Sequence, residues 1–179
     1  GEKPKLDKVT YRQMESQATI NAYQAGEVDA VEITNKDHLA VAKTVKDTTL
    51  RGTLRPSNYL VTLNAKTPTL EDVKVREAVF TGINRETLAQ VRFNGMDYTE
   101  NLPGSFALFQ NQKGYQDNFG GLVTYDQDKA KQLLDEAGWA ESGDGIREKD
   151  GKKLTLRYVT FGDSQLVKST AAAMQKMLK

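Results

Sequence analysis

The sequence predicts a mixed α/β fold, and three patterns carry the prediction. Apolar residues alternate at period two in several short runs, as in Tyr59, Val61 and Leu63. Elsewhere they recur every three or four residues, as in Val75, Ala78 and Val79. The two kinds of run interleave along the chain, with Asn, Asp, Ser and Gly at the switches, where helix caps and turns require them.

In order, Val9, Tyr11 and Gln13 alternate with Thr10 and Arg12 and read as a strand. Ser16 is placed to cap a helix carrying Ile20 and Tyr23, and Gly26 suits a left-handed stop. Ala30 to Ile33 reads as a second strand, and Asn35 as the cap of a helix with Leu39, Ala42 and Val45 on one side. Thr48 to Leu54 and Asn58 to Asn64 read as strands. Pro68 to Glu71 interrupts the chain before a helix with Val75, Ala78, Val79 and Gly82 on one face. Asn84 caps the next helix, which ends near Gly95. Residues 94 to 124 lack a period, as expected of a wrapping or functional loop. Asp126 then caps a helix with Ala130, Leu133, Leu134 and Ala137 inward, and Gly138-Trp139 reads as its left-handed cap. Asp150-Gly151 is a two-residue hairpin turn, followed by a strand with Leu154, Leu156 and Tyr158 along one face. A last helix starts near Ser164, with Leu166, Thr170, Met174, Met177 and Leu178 on its apolar side.

Composition narrows the chemistry. The 179 residues suffice for a real core, and 38% hydrophobic against 27% charged residues places the chain among folded proteins. Lys plus Arg (25) nearly balances Asp plus Glu (24), so the charge excess that nucleic acid demands is missing. With no cysteine and a single histidine, His38, the sequence offers no thiol nucleophile and no Cys/His zinc site. No apolar run is long enough to span a membrane. The chain opens GEKPKLDK without an apolar stretch behind a basic start, so an exported parent would carry its targeting segment outside this chain.

No motif supplies a catalytic apparatus. Gly120-Gly121 is followed by Leu-Val-Thr rather than Lys-Ser/Thr, and Gly143-Asp144-Gly145 leads into a hairpin, so neither cradles a phosphate. The acidic pairs Glu27/Asp29, Glu71/Asp72 and Asp126/Asp128 read as caps and solvated turns. His38, amid Lys36, Asp37 and Leu39, reads as a surface or half-buried helix residue.

Four segments carry a more specific signal: PKLDKVTYR, AYQAGEVDAVEI, YLVTLNAKTPTLEDVKVREAVFTGINRETL and YDQDKAKQLLDEAGW. Together they resemble the middle of an extracellular solute-binding protein of the family serving peptide, and sometimes nickel or oligosaccharide, ABC importers. Asn64, Pro68, Asp72, Val75, Arg76, Ala78 and Arg85 match that pattern, whereas Lys74, Gly82 and Asn84 depart from it. The Asn84 departure is mild, because Asn caps a helix about as well as the Asp it replaces. Arg76 is expected to anchor its helix through a carboxylate or a carbonyl.

The resemblance implies part of a two-lobed, periplasmic-binding-protein-like fold, truncated here, in which the lobes close on a solute like a hinged clamp. Residues 1–56 would belong to the first lobe and 57–179 to an incomplete second, with the hinge near 55–58. The implied function is capture of peptides or related small solutes outside the cell and delivery to an ABC permease, with no catalysis and no cofactor. Peptide is favoured over nickel. By position, the ligand-facing residues would be Glu32, Ile33, Ser57, Asn58 and Tyr59, with Glu32 holding an ammonium and Tyr59 stacking or hydrogen bonding. Two alternatives stand beside this reading: a carboxylate-dependent hydrolase, and a stand-alone protein-interaction module. A bacterial, membrane-anchored lipoprotein parent is implied. The fragment alone is expected to bind no peptide tightly and to self-associate through exposed strand edges and its last helix.

Overall fold

The computed structural model describes residues 3–52, 57–96, 101–162 and 164–179. Two compact units are present, Gly1–Arg51 and Gly52–Lys179. Helices dominate both, and a small three-stranded sheet belongs to the second. Arg55 and Pro56, at the start of the expected hinge, lie outside the described residues, as do Thr53 and Leu54 of one expected strand.

The first unit is built on two helices, α1 (Ser16–Gln24) and α2 (Lys36–Thr44), which pack on each other. Ile20, Ala22, His38 and Ala42 are its buried side chains. Ser16 is the first helical residue rather than the cap, because Glu15 occupies the cap position and no side chain bonds the helix start. The stop follows the expected chemistry. Gly26 (φ +72°) donates to Tyr23 O and Glu27 N donates to Ala22 O, the paired bonds that satisfy the terminal carbonyls. Asn35 caps α2 through its side chain, which accepts from the His38 amide at 2.9 Å. His38 itself is buried, 8% exposed, and so lies deeper than its polar neighbours suggest.

In the second unit a 3₁₀ turn (Pro68–Leu70) leads into α3 (Val73–Thr81) and α4 (Arg85–Phe93). After a long loop come α5 (Gln127–Glu136), the strands β1 (Ala140–Glu141), β2 (Arg147–Lys149) and β3 (Lys152–Lys153), and α6 (Gln165–Leu178). Asp72, Asn84, Asp126 and Ser164 all cap as their residue types predict, each accepting a bond from an amide of the first turn. Arg76 anchors α3 by donating to the carbonyls of Leu70 at 2.7 Å and Glu71 at 2.8 Å. Val75 and Ala78 share clusters with α5, whereas Val79 and Ile83 pack with Met174 of α6. At Gly82 an added Cβ would lie 3.2 Å from Ala78 O of α3 itself and 3.4 Å from Leu178 Cδ2, so the tight contact is with the last turn of α3 while α6 lies at ordinary van der Waals distance.

The strands depart most from expectation. Residues 9–13, 30–33, 48–52 and 58–64 form no ladder, because a strand needs a hydrogen-bonded neighbour and none pairs with them among the described residues. The segment 154–158 extends the hairpin only at Leu154, whose N–H donates to Arg147 O at 2.7 Å. The alternation is nonetheless realised at 61–64. Val61 and Leu63 pack on the core while Thr62 and Asn64 face solvent. Leu156 and Tyr158, expected on one face with Leu154, are exposed. The sheet that does form is antiparallel in the order β1-β2-β3, and Asp150 (φ 51°) with Gly151 (φ 70°) makes the expected two-residue turn between Lys149 and Lys152.

This hairpin is fastened to the end of α5. Gly138 (φ +82°) donates to Asp135 O and Trp139 N to Leu134 O. Cations complete the cap: Lys149 Nζ donates to Ala137 O at 2.7 Å, and Arg147 Nη1 to Trp139 O at 2.6 Å and to Asp135. Gly138→Val is therefore expected to destabilise the protein by about 1–2 kcal/mol, the cost of a Cβ in the left-handed region. The measurement is the melting temperature, and an unchanged value would remove the cap from this role.

At the other end of the sheet Asp144 accepts bonds from Lys153 and Ser142, in that order of influence, which hold its carboxyl far below the usual range. The same pair raises Lys153 above the ordinary lysine value. The Asp144 contribution to hairpin order is therefore complete above the unfolded aspartate range and is lost only as pH falls through the depressed value. The Lys153 contribution is complete below the unfolded lysine range and is lost as pH rises through the raised value. Amide exchange at Gly145 should stay flat between these limits relative to Asp144→Asn, once the intrinsic rate is divided out.

Candidate functional site

Glu32 and Ile33 lie in the first unit, in the irregular segment between α1 and α2, with Glu32 exposed and Ile33 half-buried. Ser57, Asn58 and Tyr59 lie in the second. There Ser57 is exposed, Asn58 is half-buried and Tyr59 is 64% exposed. The period-two segment explains this. It turns Val61 and Leu63 into the core and leaves Tyr59, on the same face but beyond the core edge, open to solvent.

What covers Tyr59 comes from α4. The Arg92 guanidinium carbon lies 3.2 Å from the centre of the Tyr59 ring, and Phe93 meets the ring edge at 6.4 Å between centroids. Arg92 Nε is buried without a hydrogen-bond partner, and the side chain forms no ion pair among the described residues. A stacked guanidinium keeps its in-plane donors free for a planar anion while its face is held by the ring. Neither Arg92 nor Phe93 was visible as a site residue in the sequence. Arg92 reads there as a cation suited to the last turn of a helix, and nothing connects it to a tyrosine 33 positions earlier.

Asn58 is committed elsewhere. Its Nδ2 donates to Ser105 O at 3.3 Å and ties the segment to the loop 101–125. That loop is wound around Gly104, whose N–H donates to the Tyr115 hydroxyl and whose carbonyl accepts from Asn118 and Phe119. Arg85 holds the loop from α4 by donating to Pro103 O, with its guanidinium 4.5 Å from the Phe119 ring centre. Phe80 meets Phe119 edge-on at 5.9 Å. Two concavities flank these contacts. One, of about 350 Å³, is lined by Leu60, Val61, Leu63, Arg76, Phe80 and Phe106. The other, of about 390 Å³, includes Ile83, Arg85, Phe119 and Tyr125.

The arrangement suits binding through an aromatic face and a free cation. Among the described residues the carboxyls shifted from their usual range are Glu136, lowered by its bond to Lys74 and by that ammonium's charge, and Asp144. Both are spent on exposed ion pairs of separate elements. Among the described residues no group of His, Cys, Asp and Glu has the placement to hold a metal, and no helix is long and apolar enough to cross a membrane.

Over residues 1–179 the chain matches the family model for bacterial extracellular solute-binding proteins, family 5, middle region. It is similar to the oligopeptide-binding protein OppA of Mycobacterium tuberculosis, 36% identical over 179 residues that cover 99% of this chain and 30% of the relative. The oligopeptide-binding protein AppA of Bacillus subtilis is 30% identical over 99% of this chain and 32% of the relative. The chain thus spans about a third of the length of these relatives.

The loop anchor generates a stability prediction. A Cβ at Gly104 would fall 2.0 Å from Asp117 Oδ1, the atom that accepts from the amides of Phe119 and Gly120. Gly104→Ala should expel that carboxylate and cost about 1–3 kcal/mol, with faster proteolysis confined to residues 101–125. Native-like melting and digestion would show that Asp117 does not organise the loop.

Proposed function

Because this chain belongs to the bacterial extracellular solute-binding proteins of family 5, we propose that it forms part of the peptide-binding wall of the substrate-binding component of an ABC importer. The observation that carries this reading is the Arg92–Tyr59 pair, an unpaired guanidinium on an exposed aromatic ring. A peptide offers the matching group, a terminal or side-chain carboxylate, which a guanidinium binds through paired, charge-assisted hydrogen bonds. The names of the relatives, oligopeptide-binding proteins, favour peptide over nickel and binding over hydrolysis.

In the full-length parent, residues 1–56 supply part of one lobe and 57–179 part of the other, crossing near 55–58 in a two-lobed clamp. Glu32 and Ile33 approach the solute from the first lobe, and Ser57 and Tyr59 from the second, while Asn58 positions the 101–125 loop beside them. The loaded protein delivers its solute to a membrane permease from outside the cell, the parent being anchored at the membrane. Self-association of the isolated chain through exposed strand edges and its last helix is the remaining partner reading.

Calorimetric titration of the full-length parent with a peptide mixture tests the Arg92 role. Arg92→Ala should weaken binding by about tenfold or more, as expected for a lost charge-assisted pair, and the effect should shrink at high salt. Peptides amidated at the C-terminus and lacking acidic side chains should bind the parent and the variant alike. Equal affinity of both proteins for free-acid peptides would overturn the assignment.

A further inference from the structure

We propose that Asn94 is a site of spontaneous deamidation that places a carboxylate two residues beyond Arg92. Asn94-Gly95 is the one Asn-Gly pair in the sequence, and both residues are exposed where α4 ends. Glycine matters because the following residue supplies the attacking nitrogen, and without a Cβ it neither shields that nitrogen nor restricts its peptide.

The local geometry adds a second reason. Phe93 to Met96 form a type II turn, with Asn94 at φ −54°, ψ 122°, Gly95 at φ +74° and Met96 N donating to Phe93 O at 2.9 Å. The central peptide of this turn, between Asn94 and Gly95, makes no backbone hydrogen bond among the described residues. It can therefore rotate towards the type I arrangement while the Met96–Phe93 bond stays closed. That rotation moves Gly95 N towards the side-chain Cγ of Asn94.

The step balances without an oxidant or cofactor. Gly95 N loses its proton and bonds to Cγ, the Cγ–Nδ2 bond breaks, and ammonia leaves carrying that proton. Water then opens the cyclic imide at either carbonyl, giving aspartate or isoaspartate. The formal net charge falls from +1 to zero, and the new anion stands two residues along the chain from Arg92, a cation that has no ion-pair partner among the described residues. The chemistry does not depend on the peptide-binding reading.

The test is incubation of the folded chain at mildly alkaline pH, followed by tryptic mapping. Cleavage after Arg92 and Lys113 releases one peptide holding Asn94, Asn101 and Asn111, so the three sites report on each other in a single spectrum. Asn94 should gain one dalton at least about tenfold faster than the other two, because only its successor lacks a side chain. An acidic charge variant and isoaspartate should accumulate in parallel, and both should be absent from Asn94→Gln. Equal rates at the three sites, or deamidation of Asn94 only after denaturation, would overturn the proposal.

Discussion

The second unit depends on one constraint: α3, only nine residues long, has to bury two of its faces at once. Val75 and Ala78 serve the clusters shared with α5, while Val79, with Ile83 just beyond the helix, serves the contact with α6. A helix this short is marginal in isolation, so its stability comes from this packing and from the anchoring at its ends. Arg76 closes the N-terminal end on the 3₁₀ turn. Thr81 O accepts from Asp126 N at the other end, so the end of α3 and the start of α5 are set by one bond.

The packing passes from α3 to the proposed binding surface through two routes. Val61 and Leu63 lie on the same clusters as Val75 and Val79, which sets the segment that carries Tyr59. Ile83, immediately before the Asn84 cap, fixes where α4 begins and hence where Arg92 emerges two turns later. Tyr59 and Arg92 meet because both are held by one core. Neither requires the other in order to reach its place, which is why Tyr59 can remain exposed and Arg92, half-buried against it, keeps Nε without a hydrogen-bond partner.

The cations of the second unit divide between stability and the proposed binding role by whether their donors are already committed. The cations Lys149 and Arg147 are consumed in closing the end of α5, and Lys74 and Lys153 in surface pairs of the kind that contribute little each. Arg85 is consumed on the loop. Arg92 is stacked but forms no ion pair among the described residues, and this distinguishes it from cations of the same chemistry nearby.

By itself the sequence determined the helices, their stops and, Ser16 excepted, their caps, because these depend on residues within four positions of one another. Asn35, Asp72, Asn84, Asp126 and Ser164 cap as their types require, and Gly26 and Gly138 accept the left-handed backbone that other residues resist. The family pattern was legible for the same reason, being written in scaffold residues such as Arg76 and Trp139. Tertiary structure alone decided which alternating segments became strands, since a ladder needs a neighbour that no local pattern supplies. It also decided that Asn58 holds a loop and that Arg92 covers Tyr59. Those contacts join residues 47 and 33 positions apart, brought together by a shared core and by no signal in either segment.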